Sequence, residues 1–112
     1  MIIRTAVLEG TVPQTERAGF DARMRDGVLP AIARYPGLRR ATLRRAAEQE
    51  PGAPSVYMTF ELWFDDLAAM EAALASPVRQ EVRARIAEAM GPFEGRVYHL
   101  VLEEAGETGP VS

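Results

Sequence analysis

Residues 55–64, Ser-Val-Tyr-Met-Thr-Phe-Glu-Leu-Trp-Phe, restrict the fold more than any other stretch of this chain. Val56, Met58, Phe60, Leu62 and Phe64 alternate with Ser55, Tyr57, Thr59, Glu61 and Trp63. A period of two sends the first set to one face of a strand and the second set to the other. The wholly apolar face has to be buried under another layer, and the mixed face does not. The chain therefore needs a sheet that is covered on one side.

The segments around this strand supply the rest of the pattern. Residues 2–9 alternate and carry β-branched side chains, which predicts a first strand. Phe20, Met24, Val28 and Ile32 recur four apart and predict a helix over 14–34, bent near Gly27–Pro30, where proline removes an N–H. Tyr35-Pro36-Gly37 ends it, residues 38–46 form the second strand, and 48–54 are an exposed hairpin loop. Asp65-Asp66 places carboxylates where they cap the second helix, whose buried face is read as Leu67, Met70 and Leu74. Ser76-Pro77 restarts that helix with a stripe of Val78, Val82, Ile86 and Met90, leaving Arg79, Glu81 and Arg83 away from it. Gly91-Pro92 stops it, and residues 96–103 form the last strand.

The order β-α-β-β-α-β describes an α+β, ferredoxin-like plan with a four-stranded antiparallel sheet and helices on one face. At 112 residues there is room for one core, expected over 1–104, followed by a flexible tail over 105–112 rich in glycine and proline.

If the apolar side of residues 55–64 lies under the helices, Tyr57, Thr59, Glu61 and Trp63 look outward. By the same phase Ala41 and Leu43 point in, while Arg40, Thr42 and Arg44 point out. For the first strand the assignment is Ile3, Thr5 and Val7 inward, with Arg4, Ala6 and Leu8 outward. For the last strand it is Tyr98, Leu100 and Leu102 inward, with Val97, His99 and Val101 outward. Such a mixed open face is large for a monomer to leave exposed. Pairing with a second copy, sheet face to sheet face, covers it and encloses a semi-polar cleft for a small organic ligand.

Composition narrows the function. The absence of cysteine removes disulfides, thiolate metal sites and cysteine nucleophiles. A net charge of −3 with both signs mixed along the chain argues against nucleic acid as a partner. An RNA-binding domain of the same strand order needs a basic residue, a glycine and spaced aromatics in its third strand, where this chain has Thr59 and Glu61. No run approaches the roughly 20 apolar residues of a membrane span, and the opening apolar run is short for a signal peptide. A cytoplasmic protein without a membrane partner is expected. All 13 basic residues are arginine, a side chain suited to planar carboxylates.

Two segments, Tyr35-Pro36-Gly37-Leu38-Arg39-Arg40 and Phe60-Glu61-Leu62-Trp63-Phe64-Asp65-Asp66-Leu67-Ala68-Ala69-Met70, followed by Ala73-Leu74-Ala75-Ser76-Pro77, carry a family likeness. With them the chain resembles the dimeric α+β barrel superfamily, most nearly its EthD-like proteins and more distantly the antibiotic-biosynthesis monooxygenases. The resemblance implies a homodimer with a small-molecule cleft. Many of those monooxygenases have a histidine where this chain has Ala73, and many EthD-like proteins have one where it has Val28.

The candidate chemistry rests on few side chains. His99 is the sole histidine and the one group that ordinarily titrates near neutrality. As a catalytic residue it is a general base or a haem ligand; otherwise it is a polar strand residue with one hydrogen bond. Glu61, set among Tyr57, Thr59 and Trp63, is a second proton-transfer candidate, or else the partner of Arg4 in an ion pair. Substrate contacts are expected from Arg4, Arg40, Thr42, Tyr57, Thr59 and Trp63, with the aromatics stacking on a ligand or packing a dimer. One histidine with scattered carboxylates makes a poor transition-metal site, so no metal and no cofactor is expected. The leading reading is binding, with cofactor-independent oxidation, isomerisation or cyclisation, of a small organic or aromatic metabolite in the sheet-face cleft. The alternatives are a non-catalytic binding or accessory protein, and haem-linked oxidation through His99.

Overall fold

The computed structural model describes residues 1–111, so the last residue of the tail expected over 105–112 lies outside the described residues. The strands are β1 (Ile2–Thr11), β2 (Arg40–Arg45), β3 (Val56–Phe64) and β4 (Glu94–Glu103), in the order β2-β3-β1-β4 with every neighbour antiparallel. The first helical segment begins with a 3-10 turn at Gln14–Glu16 and continues through α1 (Arg17–Arg23), a π-helical turn (Met24–Val28) and α2 (Leu29–Ile32). The second consists of α3 (Leu67–Ala75) and α4 (Val78–Ala89). Both cover one face of the sheet, which gives the ferredoxin-like α+β plan.

Local chemistry accounts for the helix boundaries. Phe20, Met24, Val28 and Ile32 are all 3% exposed or less, so the spacing of four is the core stripe. The expected disturbance before Pro30 takes the form of the π turn, in which the Leu29 N–H donates to the Met24 carbonyl five residues back. Asp66 caps α3 by accepting from the Ala69 N–H at 2.8 Å. Ser76 turns its hydroxyl back onto the Ala73 carbonyl at 2.6 Å, and Pro77 follows, so the helix restarts. Leu67 corrects the expectation for α3: it is 50% exposed, and Met70, Ala73 and half-buried Leu74 make the contact instead. Gly37, at φ 77°, makes the tight turn into β2.

The register fixes which residues share a face. Ile2, Arg4, Ala6 and Leu8 stand opposite Phe64, Leu62, Phe60 and Met58 of β3, and opposite Glu103, Val101, His99 and Val97 of β4. Those β3 residues are the helix-covered core. Arg4, Ala6 and Leu8 therefore face the helices, and Ile3, Thr5 and Val7 face away, the reverse of the expected assignment. In β4 the reversal is the same: Val97, His99 and Val101 lie on the helix side, while Tyr98, Leu100 and Leu102 lie on the open side. Apolar residues stand on both faces of each strand, so alternation had no phase to report there. The assignment for β2 agrees with the register, with Arg40, Thr42 and Arg44 on the open face.

Tyr57 departs for another reason. Between Leu8 and Glu9 the β1–β3 register slips, so that Glu9 opposes Val56 and Tyr57 becomes the extra residue of a bulge. Its ring turns to the helix side, edge-on to Phe20 at 5.6 Å, and its hydroxyl donates to Asp21 Oδ1 at 2.6 Å. Asp21 Oδ2 also accepts from Arg45 Nη1 at 2.6 Å.

At the far end of the β1–β4 pair, Gly10 faces Gly95. A Cβ on either would overlap the partner strand's backbone, so both positions need glycine for the strands to meet. Beyond this, β4 runs out from under the helices: each of its residues except Tyr98 is exposed.

Candidate functional site

A cavity of about 200 Å³ lies between the sheet and the helices. The sheet supplies Arg4 and Ala6 from β1, Phe60 and Leu62 from β3, and His99 from β4. The helix layer supplies Ile32 from α2, Tyr35 just after it, Leu74 from α3, and Arg79, Val82, Arg83 and Ile86 from α4. The local reason for the space is plain. Ala6 puts a methyl group where its neighbours Ile2 and Leu8 fill the core, and Arg4 replaces another apolar side chain on that same face. Arg79 and Arg83 flank Val82 on α4, so they reach the cavity wall rather than lying away from it.

The walls are apolar, and the polar groups that enter are cationic or neutral. No aspartate or glutamate lines the cavity. Seven arginines elsewhere pair with carboxylates within 4.0 Å: Arg25, Arg34, Arg39, Arg44, Arg45, Arg85 and Arg96. Arg4, Arg79 and Arg83 have no such partner among the described residues. Burial lowers the pKa of Arg4, and the nearby Arg79 lowers it further. Burial raises the pKa of Tyr35, against the opposing pull of Arg79, Arg4 and Arg83. His99 stands at the mouth of the cavity, and partial burial followed by repulsion from Arg4 and Arg79 shifts its pKa down from 6.5. Its imidazole is therefore neutral at pH 7 and able to accept a proton.

The eight residues expected from sequence divide among three places. Arg4 and His99 meet at this cavity. Tyr57 lies at the other end of the helix side with Asp21, so it is not an outward-facing stacking residue. Arg40, Thr42, Thr59, Glu61 and Trp63 share the open face. There Glu61 pairs with Arg44 at 3.1 Å and not with Arg4, which is on the opposite side of the sheet. The Arg40 guanidinium lies over Trp63, 4.8 Å from the ring centroid. Tyr35, Arg79 and Arg83 were not among the expected site residues. Tyr35 carried a signal as an aromatic just before the Pro-Gly turn, whereas the two arginines carried none.

A wider groove of about 470 Å³ runs under the hairpin loop, between Gly10, Arg17, Arg45 and Tyr57. It is open, lined by the hairpin loop and the strand ends beside it, and its Arg45 is already committed to Asp21. Among the described residues no three histidine, cysteine, aspartate or glutamate side chains gather as a metal site, and no helix is long and apolar enough to cross a membrane. Haem does not fit inside this cavity: about 200 Å³ holds little more than one ring, since an apolar void of about 150 Å³ takes a benzene molecule.

Fold and cavity together define a ferredoxin-like α+β protein with a cleft of small-molecule size. No protein-family model and no curated protein matches the sequence. Solved structures do resemble the chain. An EthD family protein from Bacillus halodurans aligns with a TM-score of 0.70 and 21% identity, covering 93% of this chain and 99% of that one. A monooxygenase from Streptomyces coelicolor, in complex with the ligand nanaomycin D, aligns at 0.69 with 16% identity over 98% of this chain and 92% of that one. A dimeric protein of unknown function and ferredoxin-like fold from Bacteroides fragilis aligns at 0.64 with 13% identity over 92% and 95%. These matches, at 21% identity or less, show a shared fold over at least 92% of the chain.

Proposed function

We propose that this chain binds a small organic molecule in the cavity between sheet and helices, and converts it by proton transfer through His99. The observation that carries the reading is the cavity itself, apolar in its walls and entered by Arg4, Tyr35, Arg79, Arg83 and His99. In this reading neutral His99 takes a proton from an acidic C–H or O–H of the ligand, and the arginines steady the charge left behind. The Tyr35 hydroxyl, still protonated at neutral pH, is the donor that returns a proton at another atom. Isomerisation or cyclisation follows from such a pair of steps.

The open face takes a different role in the same proposal, as the surface that meets a second copy. Leu100 and Leu102 are each 45% exposed there. The Thr5 and Thr42 hydroxyls, on either side of Glu61, are buried without a hydrogen-bond partner. The dimeric Bacteroides protein of like fold supports the pairing. Arg40, Thr42, Thr59, Glu61 and Trp63 then belong to the interface rather than to the ligand.

A titration with phenol followed by amide NMR tests the placement. Shifts are expected at Ala6, Tyr35, Val82 and His99. Shifts confined to Thr59, Glu61 and Trp63 would return the site to the open face. With a substrate in hand, His99→Gln should abolish turnover while leaving binding largely intact.

A further inference from the structure

The chain carries more acid than base, 16 carboxylate residues against 13 arginines, yet the cavity receives arginines alone. Seven arginines found a carboxylate on the surface, where such pairs contribute little. Six arginines make no such pair among the described residues; Arg17, Arg23 and Arg40 stand outside the cavity, and the other three all line it. Arg4 and Arg79, both half-buried, and Arg83 at the exposed rim reach the cavity from β1 and α4 without one, and for the first two a pair would be less screened. Their mutual repulsion is an unfavourable arrangement that an anionic guest would relieve.

Resting on the cavity reading above, we infer that the ligand is an organic anion of about one ring, with a planar carboxylate head held by Arg4, Arg79 and Arg83. The guanidinium fork matches a carboxylate in two parallel hydrogen bonds, which a spherical or neutral head does not use. The walls fix the other end. Ala6, Ile32, Phe60, Leu62, Val82 and Ile86 offer apolar surface alone, and about 200 Å³ leaves room for one ring with a head group.

Benzoate and its neutral isostere benzamide are the probes, with binding measured by calorimetry at low salt on the full chain. Benzoate is expected to bind at least about tenfold more tightly, the difference made by one charge-assisted pair. Arg79→Gln should weaken benzoate about fivefold or more and leave benzamide unchanged. Arg23→Gln, which removes an exposed charge outside the cavity lining, should alter neither and so controls for net charge. Equal binding of the two probes would overturn the anion assignment and leave the cavity reading standing. Binding of neither would overturn both.

Discussion

The two faces of the sheet are built from the same four strands and solve opposite problems. On the helix side, Phe64, Met58 and Phe20 are 2% exposed or less; Asp21 and Arg45 pair at one end, and the charges around the void are arginines without a carboxylate. On the open side the charges are paired or stacked: Glu61 with Arg44, Glu9 with Arg96, Arg40 over Trp63. A surface whose charges are already satisfied has little left with which to recognise a ligand. Unsatisfied charge beside apolar wall does. The contrast is the ground for proposing recognition on the helix side and assembly on the open side.

Neighbouring residues of β3 offer the sharpest attack on that contrast. Phe64→Ala should cost about 3–5 kcal/mol in urea unfolding, as expected for emptying a fully buried aromatic site. Trp63→Ala, one residue away on the other face, should cost far less in the monomer. Comparable losses would mean that the open face is not the less committed layer. Next in size, Leu100→Glu with Leu102→Glu should weaken self-association about a hundredfold or more, by about 2.7 kcal/mol. Light scattering that still reads a dimer would exclude the open face as the interface.

Smaller effects refine the picture. Tyr57→Phe should cost about 1–2 kcal/mol, because the hydroxyl donates to the Asp21 carboxylate beneath the helix layer. Were Tyr57 outward, the loss would be close to zero. Glu61→Gln should cost under about 1 kcal/mol and leave any turnover intact, since Arg44 is largely exposed. A dead Glu61→Gln enzyme would move the chemistry to the open face. Smallest is a pH effect at His99. Its folded pKa lies below 6.5, so the unfolded chain takes up the proton first. The contribution is present in full above pH 6.5 and is lost as pH falls below it. Wild type should lose urea-midpoint stability relative to His99→Gln on going from pH 7.5 to pH 5.

What could be read from sequence follows where the patterns were one-sided. The apolar face of residues 58–64, the spacing of Phe20 through Ile32, and the Asp66 and Ser76-Pro77 signals all describe interactions local to one element. The phase of β1 and β4 was not readable, because Ile2 and Leu8 compete with Ile3 and Val7 for the same burial. Tyr57 misled because a bulge is a property of two paired strands, and alternation within one strand cannot report it. The cavity was the least legible. It exists because a small residue, Ala6, lies beneath α4 and because Arg79 and Arg83 arrive from about 75 positions away.

The pairing of β1 with β4 also has a consequence in time. Ile2 is bonded to the strand that ends at Glu103, and Gly10 to Gly95, so one edge of the central strand waits for the far end of the chain. A ribosome that has released the first 90 residues has delivered β1, β2, β3 and the whole helix layer, with that edge still bare. Its N–H and C=O groups then offer a template to any passing strand. Arg4, the third residue of β1, is a charge that makes such a mismatch unfavourable until β4 arrives to close the sheet.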